Sequence, residues 1–144
     1  MSCYVDTSAL AKWYVAEEGS GEFEAFMLSL PRGEAFISSL TIPEMRSLLA
    51  RRVRMGDFDS EYEKDAWRIF LRDIEDGALT IISLDSRHYT KAAELIARFS
   101  DNALRALDAL HLSVALSCGA DELASSDKVM LQVAQRLGMR TRSF

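Results

Sequence analysis

Cys3-Tyr4-Val5-Asp6-Thr7-Ser8-Ala9-Leu10 is the stretch around which the chain is organised. An apolar run stops at one aspartate, two small hydroxyl residues follow, and helical spacing begins. An acid where a strand meets a helix can cap that helix or hold a cation, and on this stretch alone the two readings are equally good. What separates them is whether other acids have a reason to meet Asp6.

Working outward, Ser2–Val5 is expected to be a short buried strand, and Ser8–Glu18 a helix ended by Gly19 or Gly21. Phe23–Leu30 is a second helix, stopped by Pro31, and Glu34–Ser38 a second strand. Thr41 has the character of an N-cap, with Pro43 in the first turn of a helix that runs to Gly56. Asp59 or Ser60 opens a longer helix carrying Tyr62, Ala66, Ile69, Phe70 and Ile74. Leu79–Leu84 is the clearest strand, β-branched and apolar. Asp85 or Ser86 caps the next helix, whose inner face is predicted as Tyr89, Ala92, Ala93 and Ile96, with Phe99 a further candidate at its end and His88 solvated. Leu104–Cys118 is apolar nearly all round and should be buried. Leu123–Ser125 is a strand, Lys128–Leu137 a helix and Met139–Ser143 a last edge strand. Strands alternating with helices predict right-handed crossovers and a parallel sheet covered on both faces. In such sheets the site lies beyond the carboxyl ends of the strands.

Composition suits this reading. A chain of 144 residues with an apolar fraction of 49% can form one domain with a sizeable core. No apolar run approaches membrane-spanning length, and no secretory signal pattern opens the chain. Cys3 and Cys118 show no metal spacing. The expectation is a cytoplasmic protein with reduced, buried thiols. A net charge of −5 argues against nucleic-acid binding driven by overall charge, but Arg46, Arg51, Arg52 and Arg54 form a local basic cluster.

The acids that the topology can bring to one sheet edge are four. Asp6 follows the first strand, Glu44 lies in the first turn after the second, Asp108 interrupts an apolar helix, and Asp127 follows Leu123-Ala124-Ser125. Each has a bland alternative. Glu44 complements a helix dipole, Asp127 caps a helix, and Asp108 pairs with Arg105 or His111, three residues away on either side. A carboxylate facing a core is costly unless paired or bound to metal. Only two histidines and no His/Cys cluster are present, so hard oxygen ligands for Mg²⁺ or Mn²⁺ are favoured over a zinc set. His111 is expected to be a packing or supporting residue rather than a ligand.

Four motifs carry a resemblance. They are Tyr4-Val5-Asp6-Thr7-Ser8-Ala9-Leu10, Glu44 within Ser39-Leu40-Thr41-Ile42-Pro43-Glu44, Asp108 within Leu107-Asp108-Ala109-Leu110-His111-Leu112, and Asp127 within Leu123-Ala124-Ser125-Ser126-Asp127. In this order and at this length the chain resembles PIN-domain proteins, specifically the VapC-type toxin ribonucleases of bacterial toxin–antitoxin pairs. The resemblance covers essentially the whole chain, 1–144. It implies a three-layer α/β/α sandwich with a parallel sheet of about five strands, Mg²⁺- or Mn²⁺-dependent cleavage of RNA, homodimers, and a cognate antitoxin. By position it makes Asp6, Glu44, Asp108 and Asp127 the acidic site. Ser125 stands where many relatives have threonine and keeps the hydroxyl. Thr7 and Ser8 match hydroxyl positions that support a bound water or only cap a helix. Arg46, Arg51 and Arg52 are candidate contacts for RNA or antitoxin.

Three other readings compete with it. A PIN-fold nuclease in RNA processing would carry the same acids without a toxin role. A haloacid-dehalogenase-like phosphatase also places Asp6 after its first strand, but needs a second acid where Ser8 stands. A non-catalytic binding domain has no physical need for facing carboxylates.

Overall fold

The computed structural model describes residues 1–144. Five strands, β1 (Cys3–Val5), β2 (Ala35–Ser38), β3 (Thr80–Ile82), β4 (Glu122–Ser125) and β5 (Arg140–Ser143), form one sheet in the order β3-β2-β1-β4-β5. Every pairing is parallel. The helices are α1 (Thr7–Tyr14), α2 (Ser20–Ser29), α3 (Thr41–Arg54), α4 (Ser60–Glu75), α5 (Ser86–Arg98), α6 (Ala106–Cys118) and α7 (Lys128–Arg136). The architecture is the three-layer sandwich expected.

The layers follow from the strand period. Successive side chains point to opposite faces, so each central strand feeds two cores. Cys3, Val5, Ala35, Ile37 and Ala124 join α1–α4 in one buried cluster. Tyr4 and Leu123 join α5–α7 in the other. Both faces of β1 and β4 are therefore dry, and their burial patterns are continuous rather than alternating. β1 lies between β2 and β4, with Cys3 opposite Ala35 on one side and Glu122 on the other. This central register brings the residue after Val5 to the middle of the carboxyl edge. The Asp6 N–H still joins the ladder, bonding to Ala124 O at 3.1 Å.

The third strand is shorter than the expected Leu79–Leu84, and two larger departures concern how helices begin, end and face the core. The first helix ends at Tyr14, not Glu18. Val15 turns into the core at 2% exposure, and the following turn is closed by Ser20, whose hydroxyl accepts from Glu17 N–H and donates to Val15 O. Gly19 at φ +85° is what lets α2 start at once, at Ser20 rather than Phe23.

The second departure is rotational. The inner face of α5 is His88, Ala92, Leu95 and Phe99, while Tyr89 is 56% exposed. The expected solvated His88 is buried because both ring nitrogens find partners. Its Nδ1 accepts from Asp85 N–H in a capping box, so Nε2 carries the hydrogen and faces Ser117 Oγ. A polar side chain so satisfied can occupy an inward position, and the apolar residues at helical spacing from it follow.

Candidate active site

Asp6, Glu44, Asp108 and Asp127 all line one cleft of about 400 Å³, together with Thr7, Ser8, Arg51, Arg105, Leu107 and His111. It opens beyond the carboxyl ends of β1 and β4. α3 packs on one face of the sheet and α6 on the other, so Glu44 and the pair Asp108/His111 reach the cleft from opposite sides.

Asp6 is 3% exposed. It is the N-cap of α1, with Oδ1 accepting from Ala9 N–H at 2.9 Å. Ser125 Oγ donates to Oδ2 at 2.7 Å, and Ser8 Oγ lies 2.8 and 2.9 Å from the two oxygens. Burial pushes this carboxyl above its usual range, against the pull of these donors and of His111. Asp127 is likewise the N-cap of α7, accepting from Met130 N–H through Oδ1. Cap and site acid, opposed as readings of the sequence, are compatible. One oxygen caps the helix and fixes the carboxylate, and in Asp127 the other faces the cleft. Ser8 and Ser125 tie the two strand ends together, since Ser126 N–H bonds to Ser8 Oγ and Ser125 Oγ bonds to Asp6, while Asp127 N–H closes the turn onto Ser125 Oγ.

Glu44 is held from two sides. Thr7 Oγ1 lies 2.7 Å from its Oε1, and His111 Nε2 lies 2.5 Å from the same atom. Burial raises its pKa, but the hydrogen bond and charge of His111, with the Thr7 hydroxyl, outweigh that and hold it below the usual value. Thr41, expected as a side-chain cap, instead lies within α3 and faces Thr7 at 3.2 Å. Behind His111 stands Tyr4, whose hydroxyl is 2.6 Å from Nδ1. Tyr4 is a buried side chain that reasoning from sequence left out of the acid site, whereas His111, expected as a packing or supporting residue, is the one bonded to Glu44. The signal was present as a tyrosine hydroxyl within a dry strand, which needs a partner, and a histidine one helical turn beyond Asp108.

Asp108 pairs with Arg105, not His111. Arg105 Nε lies 3.3 Å from Asp108 Oδ2, and its Nη2 lies 3.6 Å from Asp127 Oδ2. Burial and the charge of Asp127 raise the pKa of Asp108, and Arg105 opposes both. Of the basic cluster, Arg51 lines the cleft. Arg46 pairs with Glu63 and lies over Trp67. Arg52 pairs with Glu17 and Asp57.

The donors facing the cleft are carboxylate and hydroxyl oxygens, the set that hard divalent cations take. As the side chains stand, no three Asp, Glu, His or Cys groups converge on one ion-sized point. Asp108 and Asp127 are drawn instead to the Arg105 guanidinium, a cation of the chain's own. In chemical type these donors suit a hard divalent ion, and Asp6, Glu44, Asp108 and Asp127 are the residues that would hold one.

A parallel α/β sandwich with four acids at its carboxyl edge defines a class, and comparison with known proteins gives the family. The PIN domain family model matches residues 3–136, and the chain belongs to that family. No curated protein sequence matches. Among solved structures, the fold is similar to Mycobacterium tuberculosis VapC20, a toxin that cleaves the sarcin–ricin loop, at TM-score 0.74 and 19% identity, covering 96% of both chains. It is similar to FitAcB of Neisseria gonorrhoeae at TM-score 0.71 and 14% identity, covering 96% of this chain and 95% of that one. It is also similar to VapBC2 of Rickettsia felis, solved on a DNA fragment from its promoter, at TM-score 0.68 and 15% identity, covering 100% and 99%. At these identities the likeness establishes the fold. No helix is long and apolar enough to cross a membrane.

Proposed function

We propose that this chain is a Mg²⁺- or Mn²⁺-dependent endoribonuclease and the toxin of a toxin–antitoxin pair. The observation that carries the reading is the meeting of Asp6, Glu44, Asp108 and Asp127 around one open cleft, within a PIN domain. Toxins and toxin–antitoxin complexes among proteins of similar fold support the biological role. A cognate antitoxin and a second copy of the chain are the proposed protein partners. Exposed Leu28 on α2 and Ile69 and Leu71 on α4 offer apolar surface for such contacts.

In this reading a bound divalent ion supplies positive charge that acidifies an attacking water and offsets charge on the phosphate. The chain's residues do the rest. Asp6, fixed by Ala9, Ser8 and Ser125, is the rigid centre of the ligand set. Glu44 is aimed by Thr7 and His111, and its ionised oxygen can orient a water for in-line attack. Asp108 and Asp127 close the opposite wall. Arg51 gives the RNA backbone a cation in a cleft otherwise dominated by acids. The products are 5′-phosphate and 3′-hydroxyl ends. An aspartyl-phosphate mechanism is disfavoured because Ser8, a donor to Asp6, stands where that chemistry needs a second acid.

The deciding experiment is cleavage of total bacterial RNA by the purified chain in EDTA, then with Mn²⁺ restored. Cleavage only in the second case, and its loss in Asp6→Asn, is the expected result. Equal cleavage by Asp6→Asn removes the site. Growth arrest on expression of the wild type but not of Asp6→Asn separates a toxin from an RNA-processing nuclease of the same fold.

A further inference from the structure

Arg105 differs from the other basic residues near the cleft. It occupies the N-cap position of α6 but makes no side-chain capping bond. Its side chain is 78% exposed, yet the guanidinium spans Asp108 and Asp127 at 3.3 and 3.6 Å. The contact with Asp108 is an ordinary pair three residues apart on one helix. The contact with Asp127 is not local, because that acid arrives from the end of β4. Arg51 lines the same cleft from α3 and pairs with none of the four acids.

We infer that Arg105 is the chain's own occupant of the cation position between Asp108 and Asp127, competing with a divalent ion for these acids and, once displaced, turning its donors to an RNA phosphate. The phosphate half rests on the nuclease reading; the competition does not. A guanidinium stays charged at any working pH and presents donors on a planar fork, so one side chain can neutralise two carboxylates. An exposed side chain holds such contacts weakly, so a divalent ion can replace it. The displaced group stays at the mouth of the cleft, because its backbone is fixed where α6 begins. There the positive helix terminus adds to its attraction for an anion. Ion and substrate binding are then coupled. A phosphate that takes Arg105 away from Asp108 and Asp127 favours loading of the ion, and by linkage the ion favours the phosphate equally.

Calorimetric titration of metal-stripped protein with Mn²⁺ alone tests the competition. Arg105→Gln should bind Mn²⁺ about two- to fivefold more tightly than wild type, the range expected on removing an exposed ion pair. Arg51→Gln removes the same charge from the same cleft without freeing an acid, and should shift much less. Equal shifts in the two variants would mean general electrostatics and overturn the inference, as would no tightening in Arg105→Gln. At saturating Mn²⁺, Arg105→Gln should raise KM for RNA more than it lowers kcat, with Arg105→Lys recovering part of the loss. An unchanged KM removes the phosphate role. A wild-type protein that cleaves no RNA with Mn²⁺ sinks the nuclease reading, while the titration still decides the competition.

Discussion

The Tyr4 hydroxyl lies 2.6 Å from Nδ1 of His111, inside the protein and out of reach of solvent. Glu44, held low in pKa, is ionised and only accepts, so the ring nitrogen facing it, Nε2, carries a hydrogen. Tyr4 thus fixes the ring that aims the carboxylate, as outer partners do for metal ligands. Tyr4→Phe should cost about 1–3 kcal/mol, because it strands a buried ring nitrogen, and lower the melting temperature by roughly 3–10 °C. Cleavage should fall about tenfold or more. Tyr14→Phe is the control. It loses a hydroxyl bonded to Asp73 at 2.6 Å, away from the cleft, and should lose stability while keeping kcat. Matching kcat losses in the two variants would show that only stability is being read.

Asp6→Asn should lower cleavage about 100-fold or more while the fold survives, since the amide oxygen can still accept from Ala9 N–H. Its pH dependence has a definite sign. Burial raises the native pKa of Asp6 above its unfolded value. At low pH the group is neutral in both states, so wild type and variant differ by a fixed offset. Above the unfolded value, about 3.9, the native wild type must hold a buried charge or retain its proton, and stability falls. In EDTA, the melting temperature of Asp6→Asn minus that of wild type should therefore grow between about pH 4 and pH 7. A flat or falling difference would show that the donors around Asp6 fully compensate its burial.

Much of this architecture was legible because alternation of short apolar strands with helices leaves few topologies once right-handed crossovers are required. Asp6 and Asp127 were legible for a related reason, as each stands where a strand ends and a helix begins. Side-chain pairing was not. Nothing local in the order of residues tells Arg51, which faces the cleft, from Arg46 and Arg52, which are spent on Glu63, Glu17 and Asp57. His88 misled for the same reason. Its burial depends on Ser117, a partner from another helix, and periodicity reports only apolar faces. The Tyr4–His111–Glu44 chain joins β1, α6 and α3, and no spacing rule links three separate elements.

Cys3 tests how dry the central strand is. Its thiol is fully buried, and burial, with the charge of Glu122 adding, pushes its pKa to about 12. The thiolate is the reactive species, so a thiol reagent at about pH 8 should leave Cys3 unmodified in the native protein and label it on unfolding. The half-buried Cys118 serves as the internal comparison. Rapid native labelling of Cys3, located by peptide mapping, would show that β1 opens easily and that Asp6 is not rigidly held.

The basic cluster yields a prediction that separates charge from position. Arg46, Arg51 and Arg52 lie on one helix, and overall electrostatics would make them near equivalents for RNA. Only Arg51 lines the cleft, while Arg46 is paired and stacked and Arg52 joins α3 to two acids. A cation on an RNA phosphate releases a counterion, contributing about 0.7 to the slope of log affinity against log salt for a single strand. Arg51→Gln should weaken RNA binding across sequences and flatten that slope by about this amount. Arg46→Gln and Arg52→Gln should leave the slope nearly unchanged and show instead a small loss of melting temperature, since partly exposed pairs contribute little. Fluorescence anisotropy with a labelled RNA, on Asp6→Asn protein to prevent cleavage, measures all three in the same salt series. Equal slope changes would place the RNA along the outer face of α3, away from the four acids.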